Sequence, residues 1–401
     1  MDPDDIRQHI TFILYDGIEN SVFSSQVLQP LLNLLKENNN LDLTLVSFEK
    51  QRPSNKTITN LIPAHEKLHF VLCRKLPFFG KISLRFATFQ LKKLFKIIPS
   101  GKIICRGPLA GWVAKKALAK HRSFGSTLRY ILQGKTLRAS EPRTEKNIPK
   151  TVRPEPVEGY ERFQINITIQ ARGLCAQEYR FATEELKENF IKKIYRKFVY
   201  HKLNQIEQEA FQTKQKLNSS LNITIESVSN ALKDYLVNYF GSEKDKINIA
   251  TKDIPQKIDK EKIQKWRSKI RSKLNIAPDQ FVYCYSGSFK PWQCLPEAID
   301  FFEKQHEKNP NSFLLILSQD KKNVETFIGA RKIPMQKYAL TCAKPDELYK
   351  YLAACDAGFL FRDKDIINWV SRPTKMLEYQ AVGLEVIHNH TIAYLADQAQ
   401  T

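Results

Sequence analysis

The sequence predicts an α/β protein made of two parallel-sheet domains. Three observations point there: short apolar runs rich in β-branched residues, longer stretches of helical period between them, and Ser, Gly or Pro signals after the runs. The first set of strands is expected at residues 9–14, 41–48, 102–105, 222–225 and 246–249, and the second at 281–285, 312–317, 357–361 and 385–388. A charged helical segment over 257–274 separates the sets, so the domains are expected at 1–255 and 256–401. A chain of 401 residues with 42% hydrophobic content is long enough to bury two such cores.

Lys and Arg number 63 against 42 Asp and Glu, a formal charge of +21. Such an excess fits an anionic partner, and it equally fits the Lys, Ile and Asn bias of AT-rich codons. The local distribution says more, because residues 67–140 contain no Asp or Glu. Within that stretch Lys81, Arg85, Lys92 and Lys96 fall within about 60° of one another at helical period. Phe86 and Phe89 flank this stripe on one side, with Leu84, Leu91 and Phe95 on the other. The stripe suits an anionic membrane surface, and it also suits an ordinary amphipathic helix with its lysines in water. No RNP, KH or zinc-finger pattern supports nucleic acid as a partner.

The acidic start Met1-Asp2-Pro3-Asp4-Asp5 lacks the features of a signal peptide, and no apolar run approaches the roughly 18 residues that span a bilayer. A cytoplasmic protein is expected, peripheral on the inner face of the membrane if the basic stripe is used. The seven cysteines show no C-x-x-C spacing, and His69, His121, His388 and His390 have no partner at metal-ligand spacing, so neither a metal nor a redox pair is expected. Neither G-x-S-x-G nor G-x-x-x-x-G-K-[ST] occurs, which leaves acyl-hydrolase and P-loop chemistry unsupported.

Residues 134–170 interrupt the alternation with a polar, proline-bearing stretch. The segment Val152-Arg153-Pro154-Glu155-Pro156-Val157-Glu158-Gly159 resembles the peptide translated from palindromic repeats interspersed in some bacterial genomes, and an ordinary long loop is the alternative. Joining Gln133 to Ala171 would run a strand directly into the loop Ala171-Arg172-Gly173-Leu174, so 134–170 is expected to be an inserted surface loop.

The most informative stretch runs from Ser371-Arg372-Pro373-Thr374-Lys375 through Glu378 to Gly383 and Ile387. It reads as a small and basic loop, a helix opening near Thr374, then Gly383 and a buried strand. The N–H groups at such a helix start favour a phosphate, Arg372 and Lys375 add charge, and a carboxylate one turn in, at Glu378, can accept ribose hydroxyls. The same pattern fits a helix cap followed by a solvated glutamate.

This stretch resembles the P-T-K-x-x-E-Y-x-A-x-G-x-P-V-I pattern of bacterial group 1 glycosyltransferases. Tyr285 to Gln293 resembles the strand and loop of that family where donor phosphates sit, and 345–358 the helix and strand preceding its sugar-nucleotide loop. Residues 103–111, 171–178 and 227–232 resemble loops of its first domain. The resemblance implies the GT-B fold, two Rossmann-like domains facing a cleft. It also implies retaining, metal-independent transfer from a UDP- or GDP-linked sugar to a lipid-linked or lipopolysaccharide acceptor, with no cofactor beyond that co-substrate. By resemblance Gly287, Ser288, Lys290, Ser371, Thr374 and Glu378 bind donor, Arg372 and Lys375 stabilise the departing diphosphate, and Arg106, Gly107, Arg172 and Gly173 face the acceptor. Departures stand beside it. Val370 occupies the place of a sugar-contacting glutamate, Ser288 and Gln293 replace the basic pair of the phosphate loop, and Glu385 replaces a proline. The chain stops at Thr401, sooner than the family pattern. These departures support a rival expectation, a non-catalytic remnant that binds nucleotide or membrane.

Overall fold

The computed structural model describes residues 8–20, 23–98, 101–119, 165–184, 189–214, 221–251, 254–331, 333–344 and 347–398. The chain divides into two compact units, Met1–Ser227 with Leu236–Asn248, and Val228–Tyr235 with Ile249–Thr401.

The first unit is a seven-stranded sheet of β1 (Gln8–Leu14), β2 (Leu41–Glu49), β3 (Leu68–Arg74), β4 (Lys102–Arg106), β5 (Ile165–Ala171), β6 (Leu221–Ser227) and β7 (Ile247–Ile249). Its helices are α1 (Gln29–Glu37), α2 (Asn55–Leu61), α3 (Lys81–Leu94), α4 (Gly107–Leu118), α5 (Cys175–Thr183), α6 (Phe190–Phe211) and α7 (Asn230–Phe240). The first half of α7, to Tyr235, is counted with the second unit. The strand order is β3-β2-β1-β4-β5-β6-β7, with parallel pairing. Phe12 of β1 lies opposite Leu45 of β2 and Ile104 of β4, which sets the central register. On one face Ile10, Phe12, Leu43 and Leu45 pack against Leu31 and Leu35 of α1, so the apolar stripe of an amphipathic helix closes the sheet.

The second unit is a five-stranded parallel sheet of β8 (Phe281–Ser286), β9 (Ser312–Leu317), β10 (Tyr338–Thr341), β11 (Ala357–Leu360) and β12 (Glu385–His388), in the order β10-β9-β8-β11-β12. Its helices are α8 (Lys260–Lys273), α9 (Leu295–Lys308), α10 (Lys321–Gly329), α11 (Leu348–Leu352), α12 (Ile366–Trp369), α13 (Thr374–Val382) and α14 (Ala393–Gln398). Every residue of β9 is buried, which is why its sequence is a continuous apolar run and not an alternation. Two cores cover the two faces: one joins Ile270, Val282, Leu315 and Tyr379, the other Leu295, Phe302, Leu314 and Phe359.

All nine expected strands are present, and three more join them. β3 and β10 are edge strands, only partly buried, so their mixed composition carries little hydrophobic signal. β5 corrects the expected insert. Residues 165–170 are not surface loop: Ile167 pairs with Ile103 of β4 and Ile223 of β6, and Ile165, Ile167 and Ile169 are buried. The alternation of isoleucine with Asn166, Thr168 and Gln170 is a strand pattern that the polar stretch before it masks. Residues 134–164, and the strand expected at 128–133, lie outside the described residues.

In each sheet the chain reverses its direction of strand addition at one point, between β1 and β4 and between β8 and β11. Loops leaving the carboxyl ends of such strand pairs diverge to opposite faces and leave a crevice, the usual ligand position in open α/β sheets.

Candidate functional site

In the second unit the loop that follows β8 is pinned before any ligand arrives. The Gly287 N–H donates to the Leu317 carbonyl at 2.9 Å, the buried Tyr285 hydroxyl donates to the Ser288 carbonyl at 2.9 Å, and the Phe289 N–H donates to Asp320 Oδ2 at 2.8 Å. Lys290 lies over the Trp292 ring, 5.2 Å from its centroid.

Against this loop stands the start of α13. Pro373 occupies the N-cap and no side chain caps the helix, although the Met376 N–H turns back to the Pro373 carbonyl at 3.2 Å. Lys375, in that first turn, reaches back: its Nζ donates to Gln293 Oε1, lies 5.6 Å from the Tyr285 ring centroid, and fills the space where a Cβ on residue 287 would be. Gly287 is thus the residue that lets the lysine approach the backbone of the loop after β8. Burial, followed by the nearby Arg362 charge, brings the Lys375 ammonium down to about 7. Burial also raises the Glu378 carboxyl, one turn further on, and Lys375 opposes that rise. Gly358 serves the same end from below, because the Tyr379 ring lies where its Cβ would be, and α13 is held close on β11.

The structure gathers Gly287, Lys375 and Glu378 and gives other expected residues separate partners. Arg372 is buried and its guanidinium donates to the Ala250 carbonyl at 2.6 Å, which ties the loop to the start of this unit. The Ser371 hydroxyl donates to the Asn368 carbonyl at 2.8 Å. Thr374 is the first residue of α13. Val370 is buried, and its carbonyl accepts the Ser229 hydroxyl at 2.6 Å. Sequence reasoning missed Arg362 and Asn389, and took Gln293, which here accepts from Lys375, only as a departure from the family pattern. Arg362 follows β11, buried, with burial lowering its pKa; Asn389 clasps its backbone, accepting from the N–H at 3.2 Å and donating to the carbonyl at 2.7 Å. The only signal for Arg362 was its place after a strand at the switch point, which needs strand order to be known.

In the first unit Arg106 ends β4, donating to the Gln26 side chain and to its carbonyl at 3.4 Å, and Gly107 follows with φ of 78°. Arg172 pairs with Glu226 at 3.3 Å, and Gly173 lies under the Glu178 carboxyl. Just beyond, α5 is capped by a group the sequence did not suggest. Glu207 of α6, fully buried, accepts the N–H groups of Cys175 at 2.8 Å and Ala176 at 3.3 Å, and burial raises its pKa to about 7.

The basic stripe on α3 is also revised. Lys81 pairs with Glu209, and Leu84, Leu91 and Phe95 are buried in the core, so that flank is not available to a membrane. Arg85, Phe86, Phe89 and Lys96 are exposed.

These two parallel-sheet units have the architecture of GT-B glycosyltransferases. Among solved structures the chain is similar to WaaG, a glycosyltransferase involved in lipopolysaccharide biosynthesis, at 12% identity, covering 98% of this chain and 84% of that one with a TM-score of 0.54. It is similar to sucrose-phosphate synthase from Thermosynechococcus elongatus at 13% identity, 95% and 81% coverage and a TM-score of 0.54. A glycosyltransferase from Rickettsia africae matches at 12% identity, 96% and 79% coverage and a TM-score of 0.51. No protein-family model and no curated protein sequence matches the chain.

Proposed function

We propose that this chain is a glycosyltransferase that moves a sugar from a UDP- or GDP-linked donor to a lipid-linked or envelope-polysaccharide acceptor, with retention and without a metal. The observation that carries the proposal is the approach of Lys375 to Gly287 beside the uncapped start of α13, at the point where the strand order reverses. A diphosphate seated there would meet backbone N–H groups, the positive end of a helix, and a lysine whose burial makes an anion welcome. Glu378 would accept the ribose hydroxyls, and Gly287, Ser288 and Lys290 would line the phosphate loop. Thr374 would present its N–H. Arg372 would act through the loop it anchors, and Ser371 likewise through its turn, while Arg362 would add charge.

In the reaction the bond from the anomeric carbon to the diphosphate oxygen breaks and the bond to the acceptor oxygen forms. The acceptor proton passes to a phosphate oxygen, so no separate base is required. Negative charge grows on the leaving diphosphate, and Lys375 with the α13 N–H groups stabilises it most in the transition state. The first unit would take the acceptor through the loops carrying Arg106, Gly107, Arg172 and Gly173. Lipopolysaccharide synthesis by WaaG supports an envelope acceptor by likeness of fold.

Glu378→Ala tests the donor assignment. Loss of charge-assisted bonds to ribose should weaken UDP or GDP binding by roughly tenfold to a hundredfold in calorimetry, and equal affinity in wild type and variant would refute it. One observation favours the rival reading of binding without turnover. Val370, at the place of the family's sugar-contacting glutamate, is buried with no carboxylate to offer.

A further inference from the structure

The helix α6 is built in two halves. Its second half is anchored: Val199, Leu203, Ile206, Ala210 and Phe211 are buried. Lys115 of α4 donates to the carbonyls of Glu209 at 2.7 Å, Ala210 at 3.1 Å and Gln212 at 2.7 Å, closing the helix end. The Glu209 side chain binds Lys81 and accepts from Trp112 Nε1 at 2.8 Å. A helix held this firmly at one end carries its first turns wherever its axis points.

Those first turns are exposed on nearly every side. Phe190, Ile191, Ile194, Tyr195 and Phe198 are all solvent-exposed, Ile191 by 78%. At helical period they fall within about 140° of arc. Lys192, Lys193 and Lys197 are exposed on the rest of the circumference, where the half-buried Arg196 donates to the Thr183 carbonyl, and no carboxylate appears on the helix before Glu207. Phe198 meets Phe79, just ahead of α3, at a centroid distance of 6.2 Å. The apolar face therefore continues onto α3, where Ile82 and Phe89 are exposed and the Lys93 ammonium lies 4.6 Å from the Phe89 ring centroid.

We propose that the first three turns of α6, joined by the exposed face of α3, form an interfacial helix that lies on an anionic lipid surface. The charge pattern selects that occupant. An apolar face on one side and an unbroken basic face on the other matches a boundary between acyl chains and acidic headgroups, where both faces are satisfied at once. Aliphatic Ile191 and Ile194 offer nothing to a nucleic-acid base, which stacks on flat rings. Among the described residues no helix is long and apolar enough to cross a membrane. The proposal goes beyond sugar transfer and does not depend on it, since all of these residues belong to the first unit.

Flotation of the full chain with vesicles tests it, comparing phosphatidylglycerol–phosphatidylethanolamine with phosphatidylcholine at low and high salt. The chain should float with the anionic vesicles and be released by salt. Replacing Lys192, Lys193 and Lys197 with Gln should weaken binding by about a hundredfold, since each lysine near such a surface is worth roughly fivefold. The double change Ile191→Ser and Ile194→Ser should weaken it by about tenfold or more, with circular dichroism unchanged because both side chains are already in water. Equal flotation of wild type and both variants would overturn the proposal. So would equal binding to neutral vesicles, preference for an RNA oligomer, or a self-association that the serine variant abolishes while vesicle binding persists. UDP or GDP affinity in free solution should be the same in all variants, which separates this test from that of the donor site.

Discussion

At Lys375, burial and the Arg362 charge bring the ammonium down to about 7, so at pH 8 the amine is mostly neutral. A nucleoside diphosphate arriving there would restore the charge, and binding should draw close to one proton from solution above pH 7. Titrations of UDP or GDP at pH 8 in buffers of different ionisation enthalpy measure that uptake. It should vanish in Lys375→Met, and an uptake unchanged in the variant would place the proton elsewhere. The same shift bears on stability. A lysine pKa depressed in the fold contributes stability present above the ordinary lysine range and lost as pH falls through about 7, so the cost builds from that range downward, is complete below about 7, and is offset by a bound anion. Gly287 in its strand-to-loop motif, and Lys375 with Glu378 in theirs, could be named from the sequence because each motif is short, whereas the approach of Lys375 to Gly287 needed the fold. The Arg372 bond to Ala250 needed it too, since 122 residues of chain separate the partners.

Among elements, α5 shows how a buried acid can take the place of a local cap. The residue before α5 is Leu174, which offers no side-chain oxygen, and Glu207 supplies the acceptor from another helix. Its pKa, raised to about 7 by burial, sets the sign of a pH effect: the stabilising contribution is complete below the ordinary carboxyl range and is lost as pH rises through about 7. Glu207→Gln keeps an acceptor and removes the titration. Relative to wild type the variant should therefore gain on the order of 2 kcal/mol between pH 5 and pH 8 in urea unfolding, and a difference that does not move with pH would show that Glu207 is not the titrating group. Elements with a strong pattern were legible: the continuous apolar run of β9 and the amphipathic α8 both lie where the sequence put them. β5 was lost to its neighbourhood, because a seven-residue alternation is weak beside a long polar stretch. The open turns of α6 were overlooked for a related reason, since an apolar stripe says nothing of whether anything covers it.

For the whole molecule the two-unit α/β plan followed from strand and helix alternation alone, whereas strand order, and with it the two switch points, required the structure. The formal charge of +21 remains spread along the chain, yet the first turns of α6 and the exposed face of α3 concentrate it beside apolar side chains. On the two proposals together, the first unit would carry a surface for lipid and the second a surface for a nucleotide, the pairing needed to glycosylate an acceptor held in a membrane. Transfer itself is the central claim, and acceptor-dependent release of nucleoside diphosphate measures it directly. The full chain would be incubated with a panel of UDP- and GDP-linked sugars, with and without lipid-linked glycan acceptors. The account predicts that one donor yields UDP or GDP only when acceptor is present, at a rate that Lys375→Met lowers by roughly a hundredfold or more. Tight nucleotide binding with no acceptor-dependent release from any donor would contradict it and leave a protein that binds a sugar nucleotide without using it.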